Sequence, residues 1–278
     1  MAKYANRCPA STDIDLYKGC PLGCVYCIAQ HYHKHAPKSR PVRNVATILA
    51  GIDASIEADG KVAPCYLSPW TDAYQPLERE ARLSRGVLAG LARRGLSFFV
   101  ITRSLLVERD LDLFVDRDAF VAISLNTLDD GVTRRLEPGA PGAGDRRALL
   151  RRMVSWPGLR TVVKVDPIIP GVTDGASLDR LLSWLAELKP HAVTLETLRI
   201  STSMLQRLEP ALTRGERRRL QALYLPARGD APRHPILSYR VEIFRRAAQT
   251  LGAAGVRACF CRATLPDPIT PYDCRGGL

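Results

Sequence analysis

The sequence predicts an α/β fold: a partial TIM barrel of the (β/α)6 type with a C-terminal extension. Three observations lead there. Six short runs rich in β-branched residues recur along the first two-thirds of the chain, and stretches with helical periodicity separate them. The 278 residues, 46% of them apolar, suffice for one barrel-sized unit. Strands alternating with helices make a parallel sheet, and six units instead of eight leave the barrel incomplete.

The predicted strands are Asp13–Tyr17, Val62–Leu67, Ser97–Thr102, Ala119–Leu125, Thr161–Val165 and Ala192–Thr197. They read as strands buried on both faces. Helices are predicted at Asn44–Ala58, with Asn44 as cap, and at Leu77–Arg94, stopped by Gly95. Three more follow at Leu106–Val115, Asp145–Ser155 and Ser177–Leu188. Past Thr202 the rhythm changes. Thr213–Leu223 and Ile236–Leu251 read as helices around a Pro/Gly-rich loop, and Val256–Cys261 reads as one further strand. We divide the chain into a core, residues 1–202, and an extension, residues 203–278, whose tail carries cysteines.

No apolar run approaches the roughly 18 residues of a membrane helix. Met1–Pro9 lacks the apolar core of a signal peptide, so the expectation is a cytoplasmic protein with no membrane partner. The formal charge of +12 admits nucleic acid as a partner. Arginine far outnumbers lysine, however, and is scattered. The densest groups are Arg146, Arg147, Arg151 and Arg152, then Arg214, Arg217, Arg218 and Arg219. Both groups read as solvated helix faces.

Eight cysteines in such a chain point to metal or redox chemistry instead of disulfides. Residues 19–27 read GCPLGCVYC, placing Cys20, Cys24 and Cys27 in a loop after the first predicted strand. Barrel active sites are built at that end. Gly19 and Gly23 let the backbone wrap a bulky inorganic group. Three close thiolates need a cation, and soft sulfur selects zinc or iron–sulfur clusters. Structural zinc wants four ligands. Three cysteines on a [4Fe–4S] cubane leave one iron open to a substrate, which favours the cluster over a zinc loop.

This Cys-x3-Cys-x2-Cys spacing, with Tyr26 before the last cysteine, resembles the signature of the radical S-adenosylmethionine (SAM) superfamily. More narrowly, LYKGCPLGCVYC at 16–27 and CIAQHYH at 27–33 resemble the spore photoproduct lyase-like family. So do TDAYQPLERE at 71–80, TRS at 102–104, ISLNT at 123–127, LEPGAP at 136–141 and DPIIPGVTD at 166–174. The resemblance covers residues 16 to 174. It implies an enzyme in which the open iron chelates SAM and one electron cleaves it to methionine and a 5′-deoxyadenosyl radical. An electron donor such as flavodoxin or ferredoxin is implied as well. By the same resemblance Tyr26 lies near the adenine, Arg103 near the SAM carboxylate, and Thr71 and Asp72 in the loop that meets the ammonium. Ser124 and Asn126 would bind SAM polar groups, Asp166 the ribose or substrate, and His33 would approach substrate or cofactor. Spore photoproduct lyase uses a cysteine hydrogen donor shortly before a Ser-Asp pair. Here the pair is Thr71-Asp72, Pro69 stands at that place, and Cys65 falls too early, so it reads as a buried structural thiol.

A second group, Cys259, Cys261 and Cys274, closes the chain. Three readings stand: an auxiliary iron–sulfur cluster with Cys8 as fourth ligand, a thiolate site for zinc or a soft substrate atom, or ordinary reduced cysteines. The functional expectation is a radical SAM enzyme, of lyase or transferase type, acting on a small molecule or peptide with a second cluster assisting. The alternatives are nucleic-acid repair or modification, and a non-enzymatic iron–sulfur or zinc module.

Overall fold

Seven parallel strands form the central sheet of the computed structural model, which describes residues 11–32, 38–226 and 229–260. In chain order they are β1 (Thr12–Ile14), β2 (Cys65–Leu67), β3 (Phe98–Thr102), β4 (Ala119–Ser124), β5 (Thr161–Ile168), β6 (Ala192–Thr197) and β7 (Arg257–Phe260). Each pairs with its neighbours in sequence order. Among the described residues β1 and β7 do not pair with each other, so the sheet is a partial barrel. The strand predicted past residue 255 joins this sheet beside β6, raising the six predicted core strands to seven. The first predicted strand divides. Thr12–Ile14 enters the sheet, while Tyr17–Lys18 pairs antiparallel with Arg40–Pro41. The break follows from new backbone partners: the Leu16 N–H donates to Ser68 Oγ and its carbonyl accepts from the Val42 N–H.

Eight helices matter for the site: α1 (Val45–Asp59), α2 (Leu83–Arg93), α3 (Asp130–Leu136), α4 (Ala143–Val154), α5 (Gly175–Leu188), α6 (Thr202–Leu208), α7 (Arg214–Ala222) and α8 (Leu237–Ala253). Asn44 caps α1 as predicted, accepting from the Thr47 N–H at 2.8 Å. The helix predicted over 77–94 instead breaks at Arg82, which adopts a left-handed φ of 49°. A buried carboxylate explains the break. Glu78 accepts from Tyr17 Oη, from the Ser84 N–H at 3.0 Å and from Arg109 at 2.7 Å. Those tertiary bonds require the turn, and they outweigh the helical periodicity of the sequence.

Strand side chains alternate between two cores. Outward residues such as Leu67, Val100, Val121, Val163 and Val193 pack beneath the helices, as does Cys65. Inward residues Phe99, Phe120, Ala122, Val162, Ala192 and Cys259 fill the barrel floor, with Tyr66 and Ile101 against them. The rings of Tyr66, Phe99 and Phe120 stack with centroids 4.5 and 4.8 Å apart. Whatever enters the barrel therefore comes from the end where the strands terminate. No helix is long and apolar enough to cross a membrane among the described residues.

Candidate active site

The cysteine loop crosses the C-terminal ends of the strands and is bolted to the segment after α3. The Val25 N–H donates to the Leu136 carbonyl, and the Gly139 N–H to the Leu22 carbonyl, both at 2.9 Å. Gly19 and Gly23 take left-handed φ values of 80° and 63°, as the sequence predicts. Gly139 is needed for contact: a Cβ there would lie 2.5 Å from the Pro21 carbonyl oxygen. The LEPG run thus acts as the anvil for the loop.

Cys24 is buried, and Cys20 and Cys27 are half-buried. They sit in an apolar shell with Leu22, Leu136, Ile169 and Leu198. Burial pushes the Cys20 thiol up to about 11, with the Asp72 charge adding to it and N–H groups of Leu22 and Asp72 opposing. Burial also pushes Cys24 up, against the pull of Arg103. Such thiols give up their protons to a bound cation. The donor set therefore fits an iron–sulfur cluster. Among the described residues no three His, Cys, Asp or Glu side chains close on one metal-ion position. Cubane ligands need not do so, because each thiolate binds its own iron.

Behind the loop lies a buried polar hub that the sequence reading missed. Its centre is Glu137. Tyr26 Oη donates to it, Arg103 Nε donates at 3.2 Å, Asn126 Nδ2 at 3.3 Å, and Arg146 Nη2 at 2.6 Å. Burial opposes ionisation, but Arg103 and Arg146 hold the Glu137 carboxyl below the usual range. Arg146 also donates to the Ser124 carbonyl at 2.8 Å and is 1% exposed. This corrects the expectation of a solvated face at Arg146, while Arg151 and Arg152 are exposed. Of that group, Arg147 and Arg151 lie over the Trp184 ring, and Arg152 pairs with Glu108. The only signal for Arg146 was its place seven residues after the LEPG run, on the helix face turned to the strands.

The structure brings most of the predicted SAM residues together here. Tyr26 accepts from Arg103 Nη2 and Asn126 Nδ2, both at 3.0 Å. Arg103 further donates to the Asp166 carbonyl at 3.3 Å, and the Asp166 N–H donates to Asn126 Oδ1 at 3.2 Å. Ser124 is buried at the end of β4. Asp72 is occupied with backbone and side-chain donors: the Tyr74 N–H at 2.8 Å, Thr102 Oγ1 at 2.6 Å and the Arg103 N–H at 2.9 Å. It orients the end of β3. Thr71 Oγ1, in contrast, is buried without a hydrogen-bond partner, a polar atom that a bound ligand would satisfy. Deeper in the barrel Lys164 Nζ meets Asp166 Oδ2 at 3.0 Å above the aromatic floor.

The sequence model of the radical SAM superfamily matches residues 14–185. The chain belongs to the radical SAM superfamily. Its fold is that of spore photoproduct lyase: a solved double mutant with bound AdoMet and dinucleoside spore photoproduct superposes with a TM-score of 0.69. That match has 17% identity and covers 88% of this chain and 75% of the other. A radical SAM methyltransferase from Sphaerobacter thermophilus matches at TM-score 0.59 and 18% identity, over 90% of this chain and 65% of that one. An uncharacterized protein of Mycobacterium tuberculosis is 29% identical over 213 residues, 72% of this chain and 62% of the relative. A radical SAM Nα-GlyT isomerase of Pseudomonas phage M6 is 24% identical over 84% of this chain and 50% of its own length. The chain thus spans about three-fifths and half of these curated relatives.

As a radical SAM protein, the chain departs from spore photoproduct lyase where Cys65 is concerned. Its thiol is fully buried on the outward, helix-facing side of β2, and burial pushes it up to about 11. It faces away from the barrel interior. Cys259 points inward and is buried among Phe99, Phe120 and Val162. Cys8, Cys261, Cys274 and His33 lie outside the described residues. A hollow of about 570 Å³ lies at the opposite end of the barrel, lined by Asp116, Arg117, Asp118, Gly158 and His191 among others. Barrel chemistry is not built at that end.

Proposed function

We propose that this protein cleaves SAM reductively at a [4Fe–4S] cluster on Cys20, Cys24 and Cys27 and directs the radical onto a small molecule entering the barrel mouth. The observation that carries this reading is the docking of three thiols against a buried Arg103–Glu137–Arg146 hub, directly over a barrel with polar groups at its mouth. When bound, the cluster would supply one electron to the sulfonium of SAM. The chain's own residues do the rest. The apolar shell around Cys24 excludes water. Glu137 fixes Arg103, and through it Tyr26 and Asn126, in one geometry. Thr71 Oγ1 offers a polar contact to SAM. Lys164 and Asp166 lie where a substrate would pass, and Lys164 is held protonated, since Asp166 beside it outweighs burial. A flavodoxin or ferredoxin would deliver the electron.

The test is direct. Anaerobically reconstituted protein given reductant and SAM should release 5′-deoxyadenosine, and Cys24→Ala should abolish both the release and the iron-bound colour. Colourless protein loaded with Zn²⁺ would instead support the zinc-module alternative. For the second cysteine group we keep the auxiliary cluster as a proposal, on Cys259, Cys261 and Cys274. It is supported by the inward aim of Cys259. Nucleic-acid modification stands as the second reading, favoured by the formal charge of +12.

A further inference from the structure

Strand alternation turns three polar side chains into the barrel interior. On β5, Val163 and Val165 pack outward beneath the helices, and Val162 packs inward on the floor. Lys164 and Asp166 share the inward side with Val162. On β2, Cys65 and Leu67 pack outward, and Tyr66 lies inward against the floor. Two strands separate β2 from β5 in the sheet. Tyr66 and Lys164 nevertheless act on each other's ionisation, and Asp166 acts on both, because the curl of the sheet turns them toward one another.

These groups keep hydrogen-bonding capacity that the fold does not use. Lys164 Nζ meets Asp166 Oδ2 at 3.0 Å. Among the described residues Lys164 has no second hydrogen-bond partner, so its remaining N–H groups stay open. Asp166 Oδ1 accepts from no described residue, and Tyr66 Oη bonds to none. The side chains of the pair are 26% and 31% exposed. Both point inward, so that exposure opens onto the barrel interior and not onto the outer surface. The Asp166 backbone is held on both sides, by Arg103 on its carbonyl at 3.3 Å and by Asn126 on its N–H at 3.2 Å. The pair is thereby fixed beside the SAM-binding candidates.

We propose that Tyr66, Lys164 and Asp166 form the specificity site of the barrel and select a substrate that carries a carboxamide beside an apolar group. The proposal rests on the radical SAM reading for the word substrate, and names its chemical class. Lys164 and Tyr66 each donate to a lone pair of the amide oxygen, and Asp166 Oδ1 accepts from the amide N–H. Burial holds the Tyr66 hydroxyl above its ordinary value although Lys164 opposes it, so at neutral pH it keeps its proton and donates. Burial works against the charge on Lys164, but Asp166 outweighs it, so the ammonium donates as well. Charge decides against simpler ligands. Cation and anion already cancel within the pair. A carboxylate reaching Lys164 would meet Asp166, and an ammonium reaching Asp166 would meet Lys164. A neutral group with an acceptor and a donor on adjacent atoms satisfies both without repulsion. Phe99, Phe120 and Val162 beneath the pair supply the bed for the apolar part.

The experiment is ligand-observed NMR titration of the anaerobically reconstituted full chain. The probes share one ring: benzamide, benzyl alcohol, benzoate, benzylamine and phenylglycine. Benzamide should bind about fivefold or more tightly than each of the others. Lys164→Met should weaken benzamide about tenfold and bring benzylamine above it, because Asp166 then lacks its counter-charge. Asp166→Asn should bring benzoate above benzamide for the mirror reason. A pair that only held the fold together would not exchange ligand preference in this way. Lys164→Gln serves in its place should the methionine variant fold poorly. Tyr66→Phe should weaken benzamide about threefold. Lys61→Met, exposed ahead of β2, should leave it unchanged. N-benzylacetamide binding more tightly than benzamide would assign the group to a peptide bond, and the reverse order would assign it to a primary amide. No benzamide binding at about 10 mM, equal or tighter binding of benzyl alcohol or phenylglycine, or an unchanged ligand order in both variants of the pair would each overturn the proposal. Release of 5′-deoxyadenosine by the wild-type protein is measured apart. Its presence without amide preference removes only the specificity site, and amide preference without release removes only the SAM reading.

Discussion

The two ends of the barrel carry similar residue types and use them in opposite ways. At the lower end Arg160 meets Asp118 at 3.2 Å with the first half-buried and the second exposed, beside a hollow of about 570 Å³. At the upper end Glu137 is 3% exposed and is gripped by Arg103 and Arg146. Water screens the lower pair, so its contribution to stability is small. The upper group has lost its water and depends wholly on its partners. The lesson is that the two ends differ in how water reaches their charges. The fold places its committed buried charge directly behind the cysteine loop.

This contrast can be broken by substitution. Glu137→Ala should leave two buried guanidinium groups without their counter-charge. The expected loss is about 3–5 kcal/mol of unfolding free energy by denaturant titration. Reconstituted iron should fall with it. Next in size, Gly139→Ala should drive the loop from its anvil, costing about 1–3 kcal/mol and lowering iron content while the far-ultraviolet spectrum is kept. A loop that tolerates the alanine with full iron would refute the bolting described above.

The pH dependence sharpens the comparison. The Glu137 carboxyl is held below its ordinary value in the folded protein. Its stabilising contribution is therefore present above the unfolded value of about 4.3 and is lost as pH falls through the lower folded value. Acid unfolding of Glu137→Gln should accordingly be flatter below about pH 4.3 than that of the wild type. Asp118→Ala, at the lower end, should shift stability by no more than about 0.5–1 kcal/mol and leave iron content alone. The iron count also bears on the tail. If an auxiliary cluster is present, loading should approach eight irons per chain and Cys259→Ala should lower it; four irons, unchanged by that substitution, would remove the auxiliary cluster.

Legibility followed the range of the interactions. The strands at 97–102, 119–125 and 192–197 and the cap at Asn44 were readable, because alternation and capping are local. The helix over 77–94 was misread at Arg82, because Glu78 answers to Tyr17 and Arg109, residues distant in sequence. The resemblance puts Asp72 in the loop that meets the SAM ammonium, and the structure adds that its oxygens accept from Tyr74, Thr102 and Arg103. Motif matching marked LEPGAP as a feature but gave Glu137 no role, since that role exists only once Tyr26, Asn126 and Arg146 arrive from separate elements.

The sequence by itself determined the strand rhythm, the cysteine spacing and hence the superfamily. These depend on periodicity and on ligand chemistry within a few neighbouring residues. Only the tertiary structure decided that Glu137 and Arg146 sit behind the cysteine loop, and that Cys65 faces outward while Cys259 faces inward. Burial and charge pairing between distant segments arise when the sheet curls, and no local pattern records which strand face or loop will be enclosed.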